Sequence, residues 1–254
     1  MARRDCRRRP EVECRDCELF GICRVAGLGS IDDSLLDEVV SRRCPVAKGE
    51  RLLIPDTPFR GIFAVKSGAF RTISHIGQSD RVINFHFLGE LIGLETIEGG
   101  HYLHTVEALE ESSVCELGFA HLHRLGPRLV QFQEQLIQAM SRRMLHDQQI
   151  CTLLRAQNSE RRLAAFLYSV ANRLNAGREP ASEFRLPMRR EDIASYLGLA
   201  VETVSRLLTQ FSQRRIAELR GRNARILDFD SLCTVAGLNL RVGRAETEHP
   251  VKQL

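Results

Sequence analysis

The chain has 254 residues, 43% of them hydrophobic and 27% charged, with eight cysteines and a formal net charge of +4. That length and balance suit a soluble globular protein of one large or two ordinary domains. No apolar run approaches the roughly 18–20 residues needed to span a bilayer. The basic opening MARRDCRRRPEVEC has no apolar segment of the kind a secretory signal carries, so the sequence points to a cytoplasmic protein with reduced thiols. Eight cysteines in that compartment argue for metal binding, redox chemistry or burial rather than a disulfide framework.

Residues 1–28 form a leader rich in cysteine and arginine. Its stretch CRDCELFGIC places Cys14, Cys17 and Cys23 in a C-x2-C-x5-C spacing. Thiolates are soft donors suited to zinc, copper(I) or iron–sulfur clusters. Structural zinc sites more often pair two C-x2-C motifs or add histidines, and neither lies nearby, so the residues alone leave cluster, zinc and other roles open. Residues 31–43, IDDSLLDEVVSRR, then place Ile31, Leu35, Leu36, Val39 and Val40 at helical spacing behind a first turn of acids, which predicts a short amphipathic helix.

Between 44 and 125 the pattern changes. RLLI, GIFAVKSG, AFRTISHI, RVINFHFLG and SSVCELGF are β-branched and aromatic, with Gly or Pro every eight to twelve residues, the signature of a small all-β sandwich or barrel. From 128 to 157 there is no Gly or Pro. Leu129, Phe132, Leu136, Met140, Met144, Cys151 and Leu154 form an apolar stripe, interrupted by Asp147. A helix of ~30 residues runs about 45 Å, too long for one small domain to cover, and predicts self-association along Met140, Met144, Asp147, Cys151 and Leu154. In a parallel dimer two Asp147 carboxylates either approach one another, which opposes association, or rotate to solvent.

SERRLAAFLYSVANRL predicts a second helix, with Ser159 as its N-cap. The basic charge gathers beyond it: residues 185–225 carry nine arginines against four acids. There REDIASYLG and AVETVSRLLTQFSQRR read as two short helices joined by a Gly198-Leu199 turn, a helix-turn-helix in which Ala194 permits close crossing. IAELRGRNARILDF reads as a two-stranded wing turning at Gly221. With the second helix in a major groove, Glu202, Ser205 and Arg206 face base edges, where Arg206 suits guanine and Glu202 suits cytosine. Arg189, Arg190, Arg214, Arg215 and Arg220, with Arg185, would neutralise phosphates and fix register. Double-stranded DNA is therefore the expected partner and a homodimer the expected assembly.

REDIASYLGLAVETVSRLLTQF resembles the helix-turn-helix of the CRP/FNR superfamily of bacterial transcription regulators, and the order of regions is similar to theirs. The resemblance implies an α+β protein: a cluster-binding leader (1–28), a double-stranded β-helix or jelly roll (29–127), a dimerisation helix (128–157) and a winged helix-turn-helix domain (158–254). Glu202, Ser205 and Arg206 are similar to the FNR branch's reading set, implying inverted TTGAT…ATCAA operators. That branch resembles this chain in its leader cysteines and in one distant cysteine of the β-domain, which implies a 4Fe–4S cluster held by Cys14, Cys17, Cys23 and Cys115. Cys6, Cys44, Cys151 and Cys233 do not match, although Cys6 could stand in as a ligand; Cys151 and Cys233 read as small buried hydrophobes. By the same resemblance oxygen degrades the cluster, the dimer separates and DNA binding falls, and RNA polymerase is a partner. Nitric oxide or another redox signal, or a zinc-stabilised regulator, are the alternatives within this class.

Cyclic nucleotide binding is not expected. Gly89, Glu90 and Leu91 offer a Gly-Glu pair, but GGHYLHTVEALEE contains no arginine, and a buried phosphate without its cation is strongly disfavoured. An enzyme is not expected either: no Gly-rich phosphate loop, His-Glu-x-x-His or G-x-S-x-G occurs, and His75, His86, His101, His104, His121 and His123 lack metal spacing. A structural iron–sulfur or redox protein that binds no DNA remains the rival from a third class.

Overall fold

The computed structural model describes residues 40–76, 79–118, 158–174 and 181–238, with positions 137, 140, 141, 143–145, 147 and 148 between them. The chain divides into two compact units, Met1–Gln149 and Ile150–Leu254.

Among the described residues, the first unit has eight antiparallel strands: β1 (Val40–Val46), β2 (Arg51–Leu53), β3 (Gly61–Ser67), β4 (Phe70–Ile76), β5 (Ser79–His86), β6 (Leu91–Ile92), β7 (Thr105–Ala108) and β8 (Ser112–Gly118). They form two four-stranded sheets, ordered β1-β8-β3-β6 and β2-β7-β4-β5. Side chains from both sheets meet in one core of Val46, Leu53, Phe63, Val65, Phe70, Ile92, Tyr102, Val106, Ala108 and Val114. The alternation of a strand puts every second residue on that core. Tyr102 closes one end, its hydroxyl donating to the Gly61 carbonyl at 2.8 Å while its ring meets Phe59 edge-on.

The five strand segments expected from the sequence are all strands. The helix expected over 31–43 is corrected at its C-terminal end: Val40–Arg43 belong to β1 and pair with β8, Val40 opposite Leu117 and Arg43 opposite Cys115. Two local reasons favour this outcome. Pro45 steers Cys44 away from the helical region, and an edge strand is where proline is tolerated. Residues 31–39 lie outside the described residues.

Among the described residues, the second unit has four helices, α1 (Ser159–Leu174), α2 (Arg190–Leu197), α3 (Val201–Gln213) and α4 (Phe229–Ala236), and three strands, β9 (Glu183–Arg185), β10 (Ala217–Arg220) and β11 (Asn223–Ile226). α1 covers the expected span, but its capping side chain is Asn158, whose Oδ1 accepts from Glu160 N at 2.9 Å; Ser159 is the first helical residue. The expected two-stranded wing exists as β10 and β11, and β9 adds a third strand against β11. No helix among the described residues is long and apolar enough to cross a membrane.

Candidate nucleic-acid interface and metal centre

α2 and α3 are short amphipathic helices held by a shared apolar seam. Ile193, Ala194 and Leu197 of α2 and Val204, Leu207, Leu208 and Phe211 of α3 are all buried. The turn between them needs a left-handed residue, and Gly198 supplies it at φ 61°. Leu199 N then donates to Ala194 O at 2.9 Å, closing the end of α2. At the other end, buried Asp192 accepts from Arg189 N at 2.8 Å, which satisfies an orphan donor at the helix start and places negative charge there.

Burial of that seam dictates what α3 offers outward. Glu202 and Arg206 are exposed and Ser205 is half-buried. The face predicted to read bases is therefore accessible along one side of α3. Arg189, Arg190, Arg214, Arg215 and Arg220 are also exposed, as is Arg185. The structure brings two of the predicted groups together, since Arg190 Nη1 lies 3.4 Å from Ser205 Oγ. It also gives two of the arginines acidic neighbours: Arg214 pairs with Glu160, and Arg220 Nη2 lies 3.5 Å from Glu218. Arg215 occupies a left-handed conformation at φ 55° just beyond α3, where Ile216 N returns to Phe211 O at 2.9 Å.

In the first unit Cys115 sits in the middle of β8, opposite Arg43 of β1 and Ala64 of β3. Phe63 and Val65 of β3 point into the core, so Ile62 and Ala64 lie on the opposite face of the sheet, and Cys115 shares that face by register. Yet Ile62, Ala64 and Cys115 are buried, with Cys115 only 9% exposed and not in a disulfide. Cys44 stands opposite Val114, one register step away. Cys233 is buried within α4; burial pushes its thiol pKa up, and the Asp230 charge adds to the effect. Cys6, Cys14, Cys17, Cys23, Cys151 and Leu154 lie outside the described residues.

The Gly89-Glu90 pair performs a local task, since Glu90 Oε2 accepts from Phe87 N at 3.1 Å across the turn before β6. On the helical positions between β8 and α1 in sequence, Met140 and Met144 are exposed at 39% and 62%, and Ile137 and Leu145 are exposed too. Asp147 is also exposed, and Arg143, which the sequence reading passed over, donates to it from one turn earlier.

Residues 161–235 match the Crp-like helix-turn-helix domain family and residues 43–126 the cyclic nucleotide-binding domain family. The chain is 42% identical to the transcriptional activator protein FnrA of Stutzerimonas stutzeri, over 89% of this chain and 93% of that protein. The chain belongs to the CRP/FNR family. It is 34% identical to the fumarate and nitrate reduction regulatory protein of Escherichia coli, over 89% of this chain and 91% of the relative. The solved structure of FixK2 from Bradyrhizobium japonicum superposes with a TM-score of 0.68 at 27% identity, covering 76% of this chain and 96% of that one. The expected architecture, a β-sheet domain followed by a helix-turn-helix, is that of the family, whose members here are regulators rather than enzymes.

Proposed function

We propose that the protein is a transcription regulator that senses oxygen through a 4Fe–4S cluster and binds inverted TTGAT-type operators as a cluster-bound homodimer. The observation that carries this reading is Cys115: a reduced, buried soft donor on the covered outer face of a sheet, beside small Ala64. Among the described residues no three His, Cys, Asp or Glu side chains gather into a metal-holding group, so Cys115 would act with ligands from outside them. Cys14, Cys17 and Cys23 have the soft-donor chemistry for that role. Relatives named for fumarate and nitrate reduction support a signal tied to anaerobic life.

The cluster supplies an oxygen-labile link; this chain supplies the rest. Cys115 would hold the cluster from the β-domain side with Cys14, Cys17 and Cys23 of the leader, the exposed Met140–Met144 stripe provides an apolar face for a second copy, and α3 presents Glu202, Ser205 and Arg206 to base edges. A two-fold dimer places two such helices one DNA turn apart, matching an inverted repeat. Arg189, Arg190, Arg214, Arg215 and Arg220 hold phosphates. The protein works in the cytoplasm, where RNA polymerase is its partner, and it takes no cyclic nucleotide.

The test is an anaerobic gel shift on a duplex carrying TTGAT…ATCAA, repeated after air. The intact protein shifts the duplex without oxygen and releases it afterwards, and Cys115→Ala shifts it in neither condition. Equal binding by wild type and Cys115→Ala, before and after air, overturns the reading.

A further inference from the structure

The first turn of α1 carries three charged residues in succession, Glu160, Arg161 and Arg162, and each holds a different helix of the second unit. Arg162 Nη1 donates to the carbonyl of Leu197, the last residue of α2, at 2.8 Å. Arg161 Nε donates to the carbonyl of Ala236, the last residue of α4, at 3.0 Å. Glu160 receives Arg214, which stands immediately after α3. The final carbonyls of a helix have no partner within it and carry the negative end of its dipole, so a guanidinium placed on them forms a charge-assisted bond.

A glycine makes room for Arg161, whereas a Cβ on Gly198 would meet Arg162 Nη1 only at an ordinary 3.8 Å. Gly198 and Gly237, each left-handed, follow Leu197 and Ala236. A Cβ on Gly237 would fall 2.4–2.7 Å from the Arg161 guanidinium, so only glycine leaves Arg161 room to lie over the end of α4. Arg162, bonded to Leu197 O, reaches the corner from which α3 departs, while Ile193 of α2 and Val204 of α3 are buried and apolar.

We propose that Arg162 is a positioning residue for DNA reading: it fixes the end of α2 and so sets the angle at which α3 presents Glu202 and Arg206, while Arg161 fixes the end of α4. Neither arginine touches DNA in this account. The proposal rests on the helix-turn-helix being the DNA-reading element, and it separates from a phosphate-contact role by its salt dependence. A residue that neutralises a phosphate contributes about one unit to the slope of log affinity against log salt, whereas a positioning residue leaves the slope unchanged.

The experiment uses full-length protein carrying Arg162→Met, which keeps the apolar stem but loses the donors, Arg162→Lys, which restores a charged donor, and Arg161→Met. Affinity for the TTGAT…ATCAA duplex and for an unrelated duplex is measured at several salt concentrations, with amide hydrogen exchange of the second unit. Arg162→Met should lose about tenfold in affinity for the operator, the size of one charge-assisted bond, and keep its affinity for the unrelated duplex and its slope. Exchange should quicken at Gly198–Val201, and Arg162→Lys should recover part of both effects. Arg161→Met should quicken exchange at the end of α4. Unchanged exchange at Gly198–Val201 overturns the proposal, as does an equal loss on both duplexes with a shallower slope. If wild type ignores the TTGAT duplex, the operator reading fails while the exchange measurement still decides this one.

Discussion

Arg143 donates through Nε to both carboxylate oxygens of Asp147, at 3.0 and 2.9 Å, one helical turn away. The pair answers part of the question that Asp147 raises on an apolar stripe. Its negative charge is held beside a positive one, and both side chains are open to solvent. An exposed pair of this kind contributes modestly, about 0.2–1 kcal/mol, so in the proposed dimer it would soften rather than abolish repulsion between two Asp147 carboxylates.

Two substitutions should therefore act in opposite directions. Asp147→Ala removes the repulsion and should give a dimer that binds operator even in air. Arg143→Ala uncovers it and should weaken dimerisation of the anaerobic protein by about 1 kcal/mol, a factor of about five in Kd. Analytical ultracentrifugation decides both. A monomeric Asp147→Ala in air, or an Arg143→Ala dimer as tight as wild type, removes this carboxylate from the account.

Base reading and phosphate binding should separate cleanly on α3 and α2. Arg206→Ala should cost about 1–3 kcal/mol and erase the preference for guanine at one operator position, with the salt slope little changed. Arg189→Ala should weaken all duplexes alike and lower the slope by about one. Fluorescence anisotropy with wild-type and guanine-substituted duplexes measures both. If Arg206→Ala keeps full base discrimination, α3 does not read DNA through this residue.

The left-handed Arg215 predicts a trade between stability and binding. A side chain at φ 55° costs about 1–2 kcal/mol that glycine does not pay, and a position just past a helix end is where glycine is favoured. Arg215→Gly should raise the melting temperature of the second unit while lowering DNA affinity and the salt slope. A lower melting temperature would show that the arginine side chain stabilises this turn by more than the strain.

Much of this arrangement was legible in the sequence because it is written locally. The strands between 51 and 118 are punctuated by Gly and Pro, and α2, Gly198 and α3 follow one another with their apolar seam in phase. Where pairing at a distance decides, local pattern misleads: Val39 and Val40 fit a helical stripe, yet Val40–Arg43 are fixed by β8, more than seventy residues later. The short strands β6, β7 and β9 have too few residues to show any period. Asn158 and Ser159 are both good capping types, and only the geometry shows which side chain turns back. The arginine contacts from α1 to the ends of α2 and α4 span 35 and 75 residues and leave no mark on any spacing rule.

In the proposed function Cys115 completes a cluster with Cys14, Cys17 and Cys23. The most direct measurement is iron, acid-labile sulfide and zinc per chain in anaerobically purified protein, for wild type and Cys115→Ala. The account predicts about four iron and four sulfide per wild-type chain, lost on exposure to air and missing from Cys115→Ala. One zinc per chain with no iron or sulfide would contradict it.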